Sequence, residues 1–163
     1  MKSKFGLGSF FPVIVLFFLL FGIGVFLTLE INDVVPSPDF RGYLLLTLIA
    51  FVITWLFWGE FRTKMVTIYI DGDSICVRKF GGLSKKRQYL FSEFDGFVTS
   101  GQFYGARGVL EYLYLVKGAR KVIKISEAYH KNYAELKAEI RTKCKDLGTI
   151  RFSFIDELKE IFA

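Results

Sequence analysis

Histidine, cysteine and proline are scarce in this 163-residue chain, with one, two and three copies, and each scarcity removes a class of protein. Cys76 and Cys144 are too few and too far apart for a disulfide scaffold, and with a single histidine they lack the ligand count of a zinc site. Both read as reduced thiols in packed positions. His130 lies in the polar turn Glu127 to Asn132 with no nucleophile near it in sequence, so it reads as a capping or solvent-facing group rather than a catalytic one. Asp71 and Asp73 flank Gly72, where aspartate serves turn chemistry. Gly101, Gly105 and Gly108 lack the Lys-Ser/Thr ending of a phosphate loop. No catalytic residue, cofactor or metal is therefore expected.

Charge is missing from two long stretches, Phe5 to Leu29 and Gly42 to Gly59. A helix rises about 1.5 Å per residue, so roughly 20 residues cross a hydrocarbon core of about 30 Å. Residues 10–29 supply one such span, and its strongly apolar side chains favour insertion by about 5–10 kcal/mol. Residues 43–59 supply a second, with Tyr43 at one end and Trp55 and Trp58 at the other, where amphipathic rings prefer the interfaces. Thr47 and Thr54 return their hydroxyls to the preceding helical turn. A cleaved signal peptide competes for the first run, because Lys2 and Lys4 form a positive start. The run is too long for one, and Thr28-Leu29-Glu30 makes no small-x-small cleavage site.

Positive residues flank the pair on one side. Lys2 and Lys4 precede the first span and Arg62 and Lys64 follow the second, whereas the connection 30–42 carries three acids and one arginine. The positive-inside rule then places residues 1–9 and everything after the second span in the cytoplasm. Residues 1–59 are neutral overall, so the net charge of +6 belongs wholly to the part from Glu60 onward.

That part changes period. Val66, Ile68 and Ile70 alternate with polar residues up to the turn Asp71-Gly72-Asp73-Ser74, and Ile75 to Phe80 returns as a second strand. A Gly81-Gly82 turn leads to a third strand, Lys85 to Phe91. A fourth follows Ser92 to Val98, and Val109 to Val116 pairs with Arg120 to Ile125 across Lys117-Gly118-Ala119. The pattern predicts an α+β domain over 62–148, with six or seven strands in one curled antiparallel sheet. A helix follows, read from a capping box of Asn132 with Glu135 and a stripe of Tyr133, Leu136, Ile140, Cys144 and Leu147, ending at Gly148. The tail 149–163 offers a short amphipathic helix with Ile155, Leu158 and Phe162 on one face.

The run Val66 to Ile75, the step Phe91 to Phe97, the strand pair Tyr112 to Val116 and Val122 to Ser126, and Asn132 to Leu136 together resemble bacterial membrane proteins with a pleckstrin-homology-like domain behind a two-helix hairpin. The resemblance covers residues from about 10 to 147. It implies a curled sheet or barrel capped by a C-terminal helix, and a multi-pass protein of the bacterial inner membrane. It implies no single function.

One chemical feature rises above this background. Arg78 and Lys79 enter the turn Phe80-Gly81-Gly82-Leu83, and Lys85, Lys86 and Arg87 leave it. The resemblance makes them possible contacts for anionic lipid head groups, since an early basic strand pair grips the head group in such domains. A strand edge protected by charge is the other reading. Because the hairpin already anchors the chain, the leading expectation is a non-enzymatic protein whose domain mediates protein or self association at the bilayer. Lipid recognition through 78–87 is the alternative, and an enzyme acting on lipid would need Glu111 and His130 gathered in one pocket. Nucleic acid is a poor partner, because the domain's 13 acids offset much of its positive charge.

Overall fold

The computed structural model describes residues 1–163 except Asp33, Ala106, Arg107, Phe152 and 154–163, and leaves the side chain of Glu60 undescribed. The predicted tail helix lies outside the described residues.

Two long apolar helices come first. A 3-10 turn, Leu7–Phe10, runs into α1 (Phe11–Ile31), and Pro12 sits in the first helical turn, where a missing N–H costs nothing. Helix α2 (Phe40–Trp55) continues through a π-type turn, Leu56–Phe61, into the single turn α3 (Arg62–Lys64). Asp39 caps α2 by accepting from the Gly42 N–H at 2.9 Å. A side chain at Gly42 would stand 2.6 Å from Pro38 Cβ, so only glycine fits that bend. Thr47 and Thr54 donate to the carbonyls of Tyr43 and Ala50 at 2.9 and 2.8 Å, which leaves few polar groups on the helix surface. The helical runs Leu7–Ile31 and Phe40–Lys64 are each 25 residues, and their most apolar 18-residue stretches have mean hydropathies of 2.8 and 2.0. Both are long and apolar enough to cross a membrane. Neither α1 nor α2 buries a residue, although both are apolar on every face.

Behind them lie two sheets. The first is an antiparallel meander of β1 (Thr67–Asp71), β2 (Ser74–Arg78) and β3 (Arg87–Leu90), with Ile70 opposite Ile75 across the turn at Gly72. The second has the order β6-β5-β4-β7, built from β4 (Gly96–Phe103), β5 (Val109–Lys117), β6 (Arg120–Ser126) and β7 (Asp146–Thr149). Between β6 and β7 runs α4 (Tyr133–Lys143). The inward residues of both sheets, among them Ile68, Ile75, Phe97, Leu115 and Ile125, form one core with Tyr133, Leu136 and Ile140 of α4. Burying each such aliphatic side chain contributes about 1.5–3 kcal/mol.

Three expectations are corrected here. The strands form two sheets rather than one, and the second is mixed, because β7 pairs parallel to β4. The last helix stops at Lys143, not Gly148, and Leu147 lies on β7 instead of the helical stripe. The reason is at Gly96, where a side chain would stand 2.3 Å from the Lys145 carbonyl oxygen. This close approach lets the Phe97 N–H donate to that oxygen at 2.9 Å and draws the chain off the helix into the sheet. Third, Asn132 makes no side-chain cap. Its amide is committed elsewhere.

That commitment is to the N-terminal segment. The Lys4 N–H donates to Asn132 Oδ1 at 2.7 Å, and Asn132 Nδ2 donates to the Lys2 carbonyl at 3.1 Å. Residues 1–6 lie against the edge of β1, with Ser3 N–H donating to Ile68 O at 2.8 Å and Ile70 N–H to Met1 O at 2.7 Å. Ser9 Oγ donates to the Tyr129 carbonyl at 2.6 Å. The segment therefore covers an otherwise open strand edge and ties the start of α1 to the same domain that follows α2.

Candidate functional site

The turn between β2 and β3 is built under strain. Phe80, Gly81 and Gly82 have φ of 54°, 63° and 106°, and the left-handed region costs a non-glycine residue about 1–2 kcal/mol. Packing holds Phe80 there. Its ring sits 5.8 Å from Phe57 and 5.6 Å from Phe61, the aromatic face that the π-type turn of the second long helix presents. The Gly81 N–H donates to Met65 O at 2.7 Å, Lys79 N–H to Ser84 Oγ at 2.6 Å, and Arg78 Nε to Ser84 O at 3.2 Å. The basic hairpin is thus fastened to the helix end where the apolar run stops.

Against this hairpin opens a cleft of two joined lobes. The larger, about 370 Å³, has Arg62, Lys79, Lys85 and Arg87 on its walls together with Phe80 and Ser84. The smaller, about 230 Å³, is walled by Thr63, Tyr114, Lys121 and Lys124. Val77, Lys79, Val122 and Ile123 belong to both and form the shared floor. Six basic and no acidic side chains line the two lobes among the described residues. Lys79 is half-buried, and burial first, then repulsion from Arg62 and Arg87, holds its ammonium below the ordinary lysine range. Clustered cations over an apolar floor are the arrangement an anion relieves.

Of the five bases singled out in the sequence, Lys79, Lys85 and Arg87 line the cleft, while Arg78 and Lys86 are exposed and do not. Arg62, Lys121 and Lys124 are additions. Arg62 is legible in the sequence as a positive-inside residue, but its place in a cleft is not. Lys121 is hidden by a bulge: Leu115 faces Ile123 and Val116 faces Lys121, so Val122 is an extra residue. Strict alternation puts Lys121 on the core face with Ile123 and Ile125. The bulge turns it onto the face of Lys124, and the two ammonium groups lie 4.6 Å from the Tyr114 ring centre and 4.7 Å from that of Tyr112.

The other candidates are structural. His130 is 2% exposed rather than solvent-facing, with Nδ1 2.9 Å from Ser126 O and Nε2 2.8 Å from Val66 O. It stacks 5.5 Å from Phe5, beneath the N-terminal segment. Glu111 accepts from Tyr133 OH at 2.7 Å and from Lys137 Nζ at 2.6 Å, and neither it nor His130 lines the cleft. The Glu111 carboxylate and burial together push the Tyr133 phenol far above its ordinary range, burial having the larger effect. Cys76 and Cys144 are free and buried. Among the described residues no three His, Cys, Asp or Glu side chains gather as metal ligands. Comparison with protein-family models, curated proteins and solved structures finds no match to this chain.

Proposed function

We propose that this is a non-enzymatic integral membrane protein whose cytoplasmic domain recognises the phosphate of anionic lipid head groups in the basic cleft. The observation that carries the reading is the set of six bases that line the cleft beside the end of the second apolar helix. Two helices that are apolar all round and buried nowhere call for a lipid environment. The N-terminal segment and the domain are hydrogen-bonded to each other, which supports a hairpin that crosses twice and returns to the same side. Positive-inside charge favours the cytoplasmic side, in the inner membrane of a bacterium. A pleckstrin-homology-like origin is supported by two packed sheets with a helix in the core, although the strand after the helix departs from that plan.

A base that donates to the phosphate inside the cleft contributes about 1.5–3 kcal/mol, so removing two should weaken lipid binding by at least about 100-fold. The test uses the full-length protein in nanodiscs and measures retained anionic lipid by native mass spectrometry. Lys85→Ala with Arg87→Ala should lose most of it, while Arg78→Ala with Lys86→Ala, which removes equal charge outside the cleft, should lose little. Equal losses would reduce the cleft to diffuse surface charge and sink the reading.

Association with a protein partner or a second copy is the other reading, and one feature favours it. Phe103 and Val109 pair across the end of the β4–β5 hairpin and are 73% and 69% exposed. Because both native cysteines are buried, Phe103→Cys gives a single accessible crosslinking site, and a crosslinked species in native membranes is the expected result of that reading.

A further inference from the structure

We propose that Leu83, at the tip of the β2–β3 turn, inserts into the membrane interface and docks the domain on the bilayer that its helices cross. This rests on the helix pair spanning a bilayer and is independent of any phosphate in the cleft. The turn is held beside the end of the second long helix. Phe80 packs at 5.8 and 5.6 Å on Phe57 and Phe61, and Phe57 belongs to the uncharged run that stops at Gly59. A helix advances about 1.5 Å per residue, so the Phe80 ring lies within about one helical turn of the level where charge begins at Glu60 and Arg62. Trp58, exposed between those two phenylalanines, marks that level as the hydrocarbon boundary. Leu83 is three residues further along the same turn.

Leu83 is 83% exposed, and neither lobe of the cleft includes it. Its backbone is nevertheless fixed, since Leu83 N–H donates to Phe80 O at 3.1 Å and Ser84 N–H to Lys79 O at 3.2 Å. An ordered turn thus presents a large apolar side chain to whatever surrounds it. A single exposed leucine on a water-facing surface needs no explanation, but one at this depth meets head groups and acyl chains rather than bulk water. The flanks suit the same surroundings. Arg78 on one side and Lys85 and Lys86 on the other are exposed, an apolar tip between bases that reach anionic head groups. Those contacts are diffuse and screened by salt, so they hold no individual lipid. Charge of one sign beside the tip favours an anionic surface over a second copy of this chain, whose own turn carries the same positive charge.

The experiment places a nitroxide at single introduced cysteines of the full chain in nanodiscs containing phosphatidylglycerol. It measures collision with oxygen, which concentrates in hydrocarbon, and with a water-soluble nickel chelate. Cys76 and Cys144 are buried, so each label is unique. Leu48→Cys, exposed on α2, is the bilayer standard. Asp73→Cys, exposed in the turn at the other end of β2 and about 17 Å away along the strand, is the aqueous one. Leu83→Cys should favour oxygen over the chelate, as Leu48→Cys does. Burial of a leucine favours the docked state about tenfold or more, so Leu83→Asn should speed amide exchange from Leu83 to Lys86 by that factor, and Leu83→Phe should not. A label at Leu83→Cys as open to the chelate as the one at Asp73→Cys overturns the proposal. A side chain this exposed has little packing of its own to lose, so a change in exchange reports the bilayer, and unchanged exchange in Leu83→Asn also overturns the proposal. Shielding of Leu83→Cys from both reagents, with spin–spin broadening between labelled copies, overturns it in favour of self association. Failure of Leu48→Cys to favour oxygen is a different failure, that of the membrane-spanning reading itself.

Discussion

Replacing Asn132 by alanine separates two accounts of one residue. Local sequence makes Asn132 the cap of α4, and an N-cap change to alanine costs about 1 kcal/mol. In the structure its side chain instead accepts from Lys4 N–H at 2.7 Å and donates to Lys2 O at 3.1 Å, in a site where it is 7% exposed. Deleting it strands one backbone donor and one acceptor, each at about 1–2 kcal/mol, so the loss should be about 2–4 kcal/mol. Even 2 kcal/mol corresponds to a fall in Tm of about 8–16 °C for a domain of this size. The assays are thermal unfolding and hydrogen exchange of the full chain in nanodiscs. Ser3, Lys4 and Gly6 amides should exchange about 30-fold faster, while Leu136 and Ile140 stay protected. Serine is a good cap but too short to span to the N-terminal segment, so Asn132→Ser should behave like alanine. If Asn132→Ser is as stable as wild type, and in the alanine variant only Tyr133 to Leu136 lose protection, the latch account is wrong and the cap account right.

Other expected outcomes follow from single features. Burial draws His130 below its ordinary 6.5, against the pull of the Val66 and Ser126 carbonyls. The unfolded chain then binds more protons than the folded one just below that pH, so stability should fall as pH drops through about 6.5. A His130→Gln variant should lose that slope in a series of unfolding midpoints, and an unchanged slope would count against it. Ala119 has φ of 59° beside Gly118 at 55° in the β5–β6 turn, so Ala119→Gly should raise stability by about 0.5–1 kcal/mol in denaturant melts, and a loss would contradict the strain. Gly96→Ala should cost more than about 1 kcal/mol and expose β7 amides to exchange, since the new methyl meets the Lys145 carbonyl at 2.3 Å. Burial raises the Cys144 thiol above its ordinary range, so its alkylation should require unfolding, and rapid labelling of native protein would refute that.

Much of the fold was legible because its signals are local. Alternation of Val66, Ile68 and Ile70 across a glycine turn has one reading, and so does an uncharged run long enough to span a bilayer. The errors arise where a distant segment overrides a local preference. Asn132 has a strong capping pattern, yet its amide serves backbone groups about 130 positions away. Residues 1–6 carry no strand signal of their own, because their partners are supplied by β1 and by the turn before α4. Gly148 resembles a helix stop, but the close contact at Gly96 ends the helix earlier.

The candidate site shows the same division more sharply. Lys79, Lys85 and Arg87 were visible as a cluster, whereas Lys121 reaches the cleft only because Val122 is an extra residue that reverses the facing of what precedes it. No count of charges along the sequence contains that reversal. Arg62 poses the opposite difficulty, since it is conspicuous in the sequence for orienting the helix pair and is also a wall of the cleft. On the proposed orientation and phosphate reading, a change of charge at Arg62 acts on both at once, and the two effects are inseparable in a lipid assay. Substitutions at Lys85, Arg87, Lys121 and Lys124 leave the flanking charge of the helices intact. A loss of binding at those four positions therefore reports on the cleft, and a loss at Arg62 reports on nothing until the orientation of the helices has been measured in the same sample.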